Sequence, residues 1–141
     1  MRIEDCCRTY VVTAAPGALV HEVAELMKNE NVGSVVITEN NVPVGIVTDR
    51  DIVVRGVARN LDPKKARARE VMTKNPIVIT GDADLFDAMQ CARREKIRRL
   101  PVVDDGGCLV GIVTVDDTIC ILSRELGNLT EIIREESPRA D

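Results

Sequence analysis

Val44-Gly45-Ile46-Val47-Thr48-Asp49-Arg50-Asp51 returns as Val110-Gly111-Ile112-Val113-Thr114-Val115-Asp116-Asp117, with six of the eight positions identical. Self-similarity at a fixed spacing marks a repeated structural unit. The match continues upstream at an offset one residue shorter: Glu22 aligns with Asp87, Val23 with Ala88, Lys28 with Arg93, Glu30 with Glu95 and Val32 with Ile97. The offset changes between Glu39-Asn40-Asn41-Val42 and Asp104-Asp105-Gly106-Gly107-Cys108, turn-forming stretches in which a hairpin loop tolerates an insertion. The 141 residues therefore hold two copies of a unit, each of about sixty residues. Neither is large enough to bury a sufficient interior alone, so the two are expected to share one.

Composition narrows the architecture. Apolar residues make up 45% of the chain, yet there is one Phe, one Tyr and no Trp. The interior must be built from Val, Ile, Leu and Ala, which suits β-branched strands packed on helices. A net charge of -4 and a pI near 5.1 argue against general binding to nucleic acid or a membrane surface. No apolar run approaches the roughly 18 residues of a membrane span. The stretch Met1-Arg2-Ile3-Glu4-Asp5 lacks the apolar segment of a signal peptide, and a cytoplasmic protein is expected. The five cysteines are Cys6, Cys7, Cys91, Cys108 and Cys120. They are odd in number with no C-x-x-C pair, so zinc is not indicated. Cys6-Cys7 reads either as a redox or metal pair or as two small apolar residues at the positions of Val71-Met72 in the second unit. The second reading is preferred, because free cysteine packs as a small hydrophobe.

Periodicity assigns the elements. Leu19, Val20, Val23, Leu26 and Met27 recur three and four apart and predict an amphipathic helix over 18–30. Leu85, Ala88, Met89, Cys91 and Ala92 predict its twin over 84–95, with Asp82 or Asp84 as the amino-terminal cap. Each helix precedes two β-branched runs joined by a turn, 34–38 with 44–48 and 100–103 with 109–114, which read as hairpins. Helical spacing then resumes at Ile52, Val53 and Val57 and at Ile119, Leu122 and Leu126. Short strands are expected at 11–13 and 77–79, so each unit is strand, helix, strand, strand, helix. Residues 1–60 form the first unit, 61–69 a linker and 70–127 the second unit; the stretch Asn60-Leu61-Asp62-Pro63-Lys64-Lys65 reads as solvated and precedes a short helix toward Met72. Residues 128–141 form a helical tail with Leu129, Ile132 and Ile133 on one face, expected to dock on a partner subunit, with a kink at Gly127 and an end at Ser137-Pro138.

Val71-Met72-Thr73 before Asn75-Pro76, the stretch Ile97-Arg98-Arg99-Leu100-Pro101-Val102-Val103-Asp104 and the two Gly-Ile-Val-Thr-x-x-Asp segments together resemble the cystathionine β-synthase (CBS) domain family. The first copy departs from the pattern at Asp5-Cys6-Cys7 and at Val35-Val36, which lacks a counterpart to Pro101. The resemblance covers nearly the whole chain. It implies an α/β fold of two βαββα CBS repeats packed about a pseudo-twofold axis, a Bateman module. It also implies that clefts between the repeats bind adenine-containing ligands such as AMP, ADP, ATP or S-adenosylmethionine.

Carried over residue by residue, the resemblance builds each cleft crosswise. The first cleft joins Ile46, Thr48, Arg50 and Asp51 to Thr73, Ile77, Val78, Ile97, Arg98 and Arg99. The second joins Ile112, Thr114 and Asp117 to Val11, Val12, Val32, Gly33 and Ser34. A carboxylate at a helix start can accept both hydroxyls of a ribose, and nearby N–H groups and the helix dipole favour a phosphate. Arginine forks grip phosphate bidentately. The first cleft, with Arg50, Arg98 and Arg99, is therefore expected to bind better than the second, which has Gly33 and Ser34 at the arginine positions and an extra Asp116. Alternatives stand beside these roles: Asp51 and Asp117 as helix caps, Thr48 and Thr114 as ordinary strand ends, and Arg98-Arg99 as a solvated strand edge.

Catalysis is not expected. The one histidine, His21, falls on the solvent flank of a helix. No nucleophile set, metal-ligand cluster or phosphate-binding glycine loop appears. The expected function is a non-catalytic regulatory module that binds an adenine nucleotide and needs no cofactor or metal. The alternative is a ligand-independent dimerisation or adaptor module. Homodimerisation through Ile52, Val53, Ile119 and Leu122, and an unidentified protein partner, complete the expectation.

Overall fold

The computed structural model describes residues 1–136. In the first repeat, helix α1 (Val20–Glu30) buries Val20 and Val23 and lays Leu26 and Met27 against the same core, as the three-and-four spacing requires. Helix α4 (Leu85–Glu95) does the same with Leu85, Ala88 and Ala92. Asp84 caps α4 by accepting the N–H groups of Phe86 and Asp87, whereas Leu19 gives α1 no side-chain cap. Both helices end in a left-handed residue, Asn31 at φ 53° and Lys96 at φ 57°.

The first sheet runs β1-β2-β3-β4, with β1 (Thr13–Ala14) parallel to β2 (Ser34–Glu39) and β3 (Val42–Thr48) and β4 (Thr73–Lys74) antiparallel to their neighbours. The second runs β5 (Ile79–Thr80), β6 (Arg99–Val103) and β7 (Leu109–Thr114), in the same sense. Matching register shifts fall at Ile37/Thr38 and Val102/Val103. The first hairpin turns through Asn40 and Asn41 at φ 50° and 64°, the left-handed pair that a two-residue loop demands. The longer return of the second is held by Asp104, whose carboxylate accepts the N–H groups of Gly106 and Cys108.

Neither repeat completes itself. β4, which leads into the second repeat, pairs with β3 of the first, Ile46 opposite Thr73. Helix α3 (Ala68–Val71) puts Ala68 and Val71 into the first core, beside Val23, Val35 and Val47. In exchange, Arg8 forms an antiparallel bridge to Ile112 of β7, with backbone hydrogen bonds of 3.0 and 2.9 Å. Ile3, in a single turn of 3-10 helix (Ile3–Asp5), is fully buried in the second core with Leu85, Leu100 and Val113. A smaller cluster of Val36, Leu109 and Ile112, flanked by Val11 and Ile46, joins the halves.

This exchange explains the motif glycines. A Cβ on Gly111 would sit 2.7 Å from the Arg8 carbonyl oxygen and 2.9 Å from the Cys7 sulfur, and one on Gly45 would collide with Met72. Cys7 thus occupies the place that Met72 has in the other half. Burial pushes the Cys6 and Cys7 thiols above their ordinary value, as expected of thiols packed as small hydrophobes.

The helices after the hairpins differ. The first opens as α2 (Asp49–Asp51), widens into a π-helical turn over Ile52–Gly56 and closes in a 3-10 turn over Val57–Arg59. The helical turns expected there are formed and Ile52 packs on the first core, but Val53 and Val57, expected along the same face, are exposed. Its counterpart α5 (Val115–Glu136) runs without a break for 22 residues. It passes straight through Gly127, where a kink was expected. One glycine costs a helix only about 1 kcal/mol, and no atom lies within 4 Å of where its Cβ would be. Residues 128–136, read from the sequence as a separate tail, continue this helix; Ser137-Pro138 lie outside the described residues. No helix among the described residues is long and apolar enough to cross a membrane.

Candidate functional site

Thr48 and Thr114 end β3 and β7 and cap the helices that follow. Thr48 Oγ1 accepts the Asp51 N–H at 3.1 Å while the Asp51 carboxylate accepts the Thr48 N–H at 2.9 Å, a reciprocal cap that ties the carboxylate down. Thr114 Oγ1 accepts the Asp117 N–H at 3.0 Å, but the Asp117 carboxylate turns outward to Arg8. Arg8 Nε and Nη2 donate to it at 2.8 and 2.7 Å. Burial pushes the Asp117 carboxyl up, yet hydrogen bonds from Arg8 and Thr114 and the Arg8 charge outweigh it, and its pKa is lowered. The same contact raises that of Arg8. One repeat therefore spends its aspartate on capping, and the other presents it to a cleft.

That cleft is a cavity of about 500 Å³ between the repeats. All eight residues assigned to the second cleft line it: Val11, Val12, Val32, Gly33 and Ser34 from one half, Ile112, Thr114 and Asp117 from the other. Arg98 and Arg99, assigned to the first cleft, line this one as well. Their backbone explains it, since Arg99 pairs with Thr114 across β6 and β7 and the Arg98 carbonyl accepts the Val115 N–H at 2.9 Å. Arg98 then donates to Asp116 at 2.8 Å. The Arg99 guanidinium reaches the space that a side chain on Gly33 would fill, 3.3 Å from its Cβ position. The missing side chain at 33, read from the sequence as a deficit of positive charge, instead makes room for an arginine of the other repeat.

Arg8 and Tyr10 also line the cavity and were not assigned to it from the sequence. The repeat offset carried a signal for Arg8, which aligns with Thr73, a residue assigned to the first cleft. Tyr10 donates its hydroxyl to Glu30 at 3.0 Å. Arg8 and Arg98 are thus each held by a carboxylate, and Arg99 forms no ion pair with any described residue.

At the first cleft, Ile46, Thr48, Asp51 and Thr73 are brought together, but Arg55 spans them. Its Nη1 donates to the Val71 carbonyl at 3.2 Å and to Thr73 Oγ1 at 3.3 Å, and stands 4.0 Å from Asp51. Ile77 and Ile97 pack on the second core, while Arg50 and Val78 are exposed. Arg55, one helical turn beyond Asp51, was not singled out in the sequence. His21 stands half exposed beside Glu25, Nε2 to Oε1 2.6 Å.

The model of the CBS domain matches the chain twice, over residues 3–56 and 68–123. An uncharacterized protein of Methanopyrus kandleri is 36% identical over 118 residues, 83% of this chain and 60% of its own length, so the chain spans less than two thirds of that relative. Among solved structures, a CBS domain protein from Pyrobaculum aerophilum complexed with AMP superposes with a TM-score of 0.76 at 29% identity, over 83% of this chain and 89% of its own. The CBS domain pair of protein MJ0100, in complex with 5′-methylthioadenosine and S-adenosyl-L-methionine, gives a TM-score of 0.77 at 29% identity, over 91% and 97%. Two matched copies, each lending its opening segment to the other, place this chain in the CBS domain family as a tandem pair, a Bateman module.

Proposed function

We propose that the chain is a non-catalytic sensor that takes an adenine nucleotide into the cleft between its repeats. The observation that carries this reading is the cavity of about 500 Å³ lined from both halves, with Arg8, Arg98 and Arg99 around it. Its volume falls within the roughly 300–1,000 Å³ of small-molecule sites. Val11, Val12, Val36 and Ile112 offer an apolar wall for a base, and arginine forks suit a phosphate. Asp117 takes the ribose hydroxyls in this reading. Arg8 must then leave the carboxylate, and a phosphate is the anion that receives it. The complexes of similar proteins with AMP and with S-adenosyl-L-methionine support an adenine-containing ligand. The second cleft is the better candidate because Arg55 already spans the first. Binding would stiffen the contact between halves and shift how two copies pack, the exposed Val53, Ile119 and Leu122 supporting a homodimer.

Thermal melts with AMP, ADP, ATP and S-adenosylmethionine test the reading. A ligand at a hundred times its dissociation constant adds about 2.7 kcal/mol of stability. The chain has one tyrosine and no tryptophan, and Tyr10 lines the cavity, so tyrosine emission reports on that cleft directly. Arg99→Ala is expected to weaken binding by about tenfold or more, and Asp51→Ala to leave it unchanged. No shift with any of the four compounds would favour a ligand-independent dimerisation or adaptor module. That second reading has its own support in the Arg8–Asp117 and Arg98–Asp116 pairs, which satisfy two of the cleft's three arginines without a guest.

A further inference from the structure

From Leu122 to Glu136 every residue of α5 is exposed, and Thr118 is the one residue of the helix that is buried. Four turns of helix with no face against a core are marginal in water. Their sequence is not that of a solvated helix. Ile119, Leu122, Leu126, Leu129 and Ile133 are spaced 3, 4, 3 and 4 apart, which is the a and d pattern of a coiled-coil seam. The first four are 55%, 45%, 64% and 57% exposed. Arg124, Asn128, Glu131, Arg134 and Glu135 fall on the opposite side, where Arg134 pairs with Glu131 within the helix at 3.0 Å. Gly127 is also off the seam and removes no contact from it.

We infer that α5 is a dimerisation helix that forms a parallel, two-stranded coiled coil with α5 of a second copy of this chain. The residue types point to that occupant. Ile at two of the three a positions and Leu at both d positions favour two parallel strands. In that arrangement Glu125, at g, meets Thr130, at e of the partner, so no like charges are opposed. Two heptads drift by only about 40° from a straight helix, which a short seam absorbs. Five seam side chains, each hiding on the order of 80 Å², supply about half of the roughly 800 Å² that a standard interface takes from each partner. This deepens and rests on the homodimer reading above, and it does not require that the cleft take a nucleotide.

The experiment is sedimentation equilibrium of the full chain as wild type, Leu126→Glu, Leu126→Lys and an equimolar mixture of the two variants, with far-UV circular dichroism to establish folding. In a parallel seam Leu126 faces its own copy. Each variant alone should then dissociate at least tenfold more readily, and the mixture should recover a dimer through the opposed charges. A wild type that is monomeric at about 100 μM, or variants that dimerise as the wild type does, would overturn the seam. Loss in both variants without recovery in the mixture would overturn the parallel pairing. A nucleotide-induced melting shift that survives in Leu126→Glu separates failure of the seam from failure of the sensor reading.

Discussion

Asp51 and Asp117 hold equivalent places in the repeat and do different work. The reciprocal cap at Thr48 ties one oxygen of the Asp51 carboxylate to a backbone N–H, while Asp117 is released toward Arg8, a residue more than a hundred positions away. The fate of each carboxylate is set by its long-range neighbour, which the motif does not contain. This is why the two aspartates were legible as candidates in the sequence and their roles were not. Arg99 shows the same limit. Its number places it in one half, but its backbone pairing with Thr114 and the absent side chain at Gly33 put it in the cleft of Asp117. Arg8→Ala should lower stability by up to about 1 kcal/mol at neutral pH, since Arg8 is largely exposed and the pair is screened. Asp117 has a lowered pKa when folded, so the pair's contribution is present above the ordinary carboxylate pKa and is lost as pH falls through the lowered value. Urea unfolding at neutral pH and near pH 3 should show the gap between wild type and Arg8→Ala closing in acid. A gap that persists there would mean that Arg8 acts through its stem and backbone.

At the level of elements, α1, α4 and both hairpins follow from apolar spacing and turn chemistry, because local sequence decides them. The helices after the hairpins do not. They share the Thr-x-x-Asp start, yet one winds into a π turn within a few residues and the other continues to Glu136. A helix's length depends on what it lies against, and among the described residues nothing covers the apolar stripe on α5. Gly127 sits in open space in mid-helix. Gly127→Ala should therefore raise stability by about 0.5–1 kcal/mol by removing glycine's entropic cost, read as a higher melting temperature and greater helicity. Destabilisation instead would mean that the helix bends at this point in solution.

For the whole molecule, the internal repeat announced two halves, but the one shared interior expected of them is instead two cores joined by the small cluster of Val36, Leu109 and Ile112; composition announced an interior without aromatics, and Phe86 and Tyr10 are both exposed. What the period could not reveal is ownership. Repeats read as consecutive blocks suggest that each block folds on itself, but Ile3 and Arg8 belong to the far sheet and Ala68 to the near one. Ile3→Ala should cost about 2–5 kcal/mol, the range for emptying a packed core site. Such a loss would be large for a residue so near the amino end. A cost below about 1 kcal/mol, measured by denaturant unfolding, would mean that the second core closes without it.

The traded segments have a consequence for inheritance. Each lobe borrows a part that is translated ahead of its neighbour, so a gene holding one copy would encode a body with a gap and a spare arm seeking one. Two such products could mend each other only by meeting. Fusing the copies into one reading frame turns that encounter into a fixed partnership, after which either lobe is free to diverge in role, as two identical aspartates with different partners have, while the joint between them is kept.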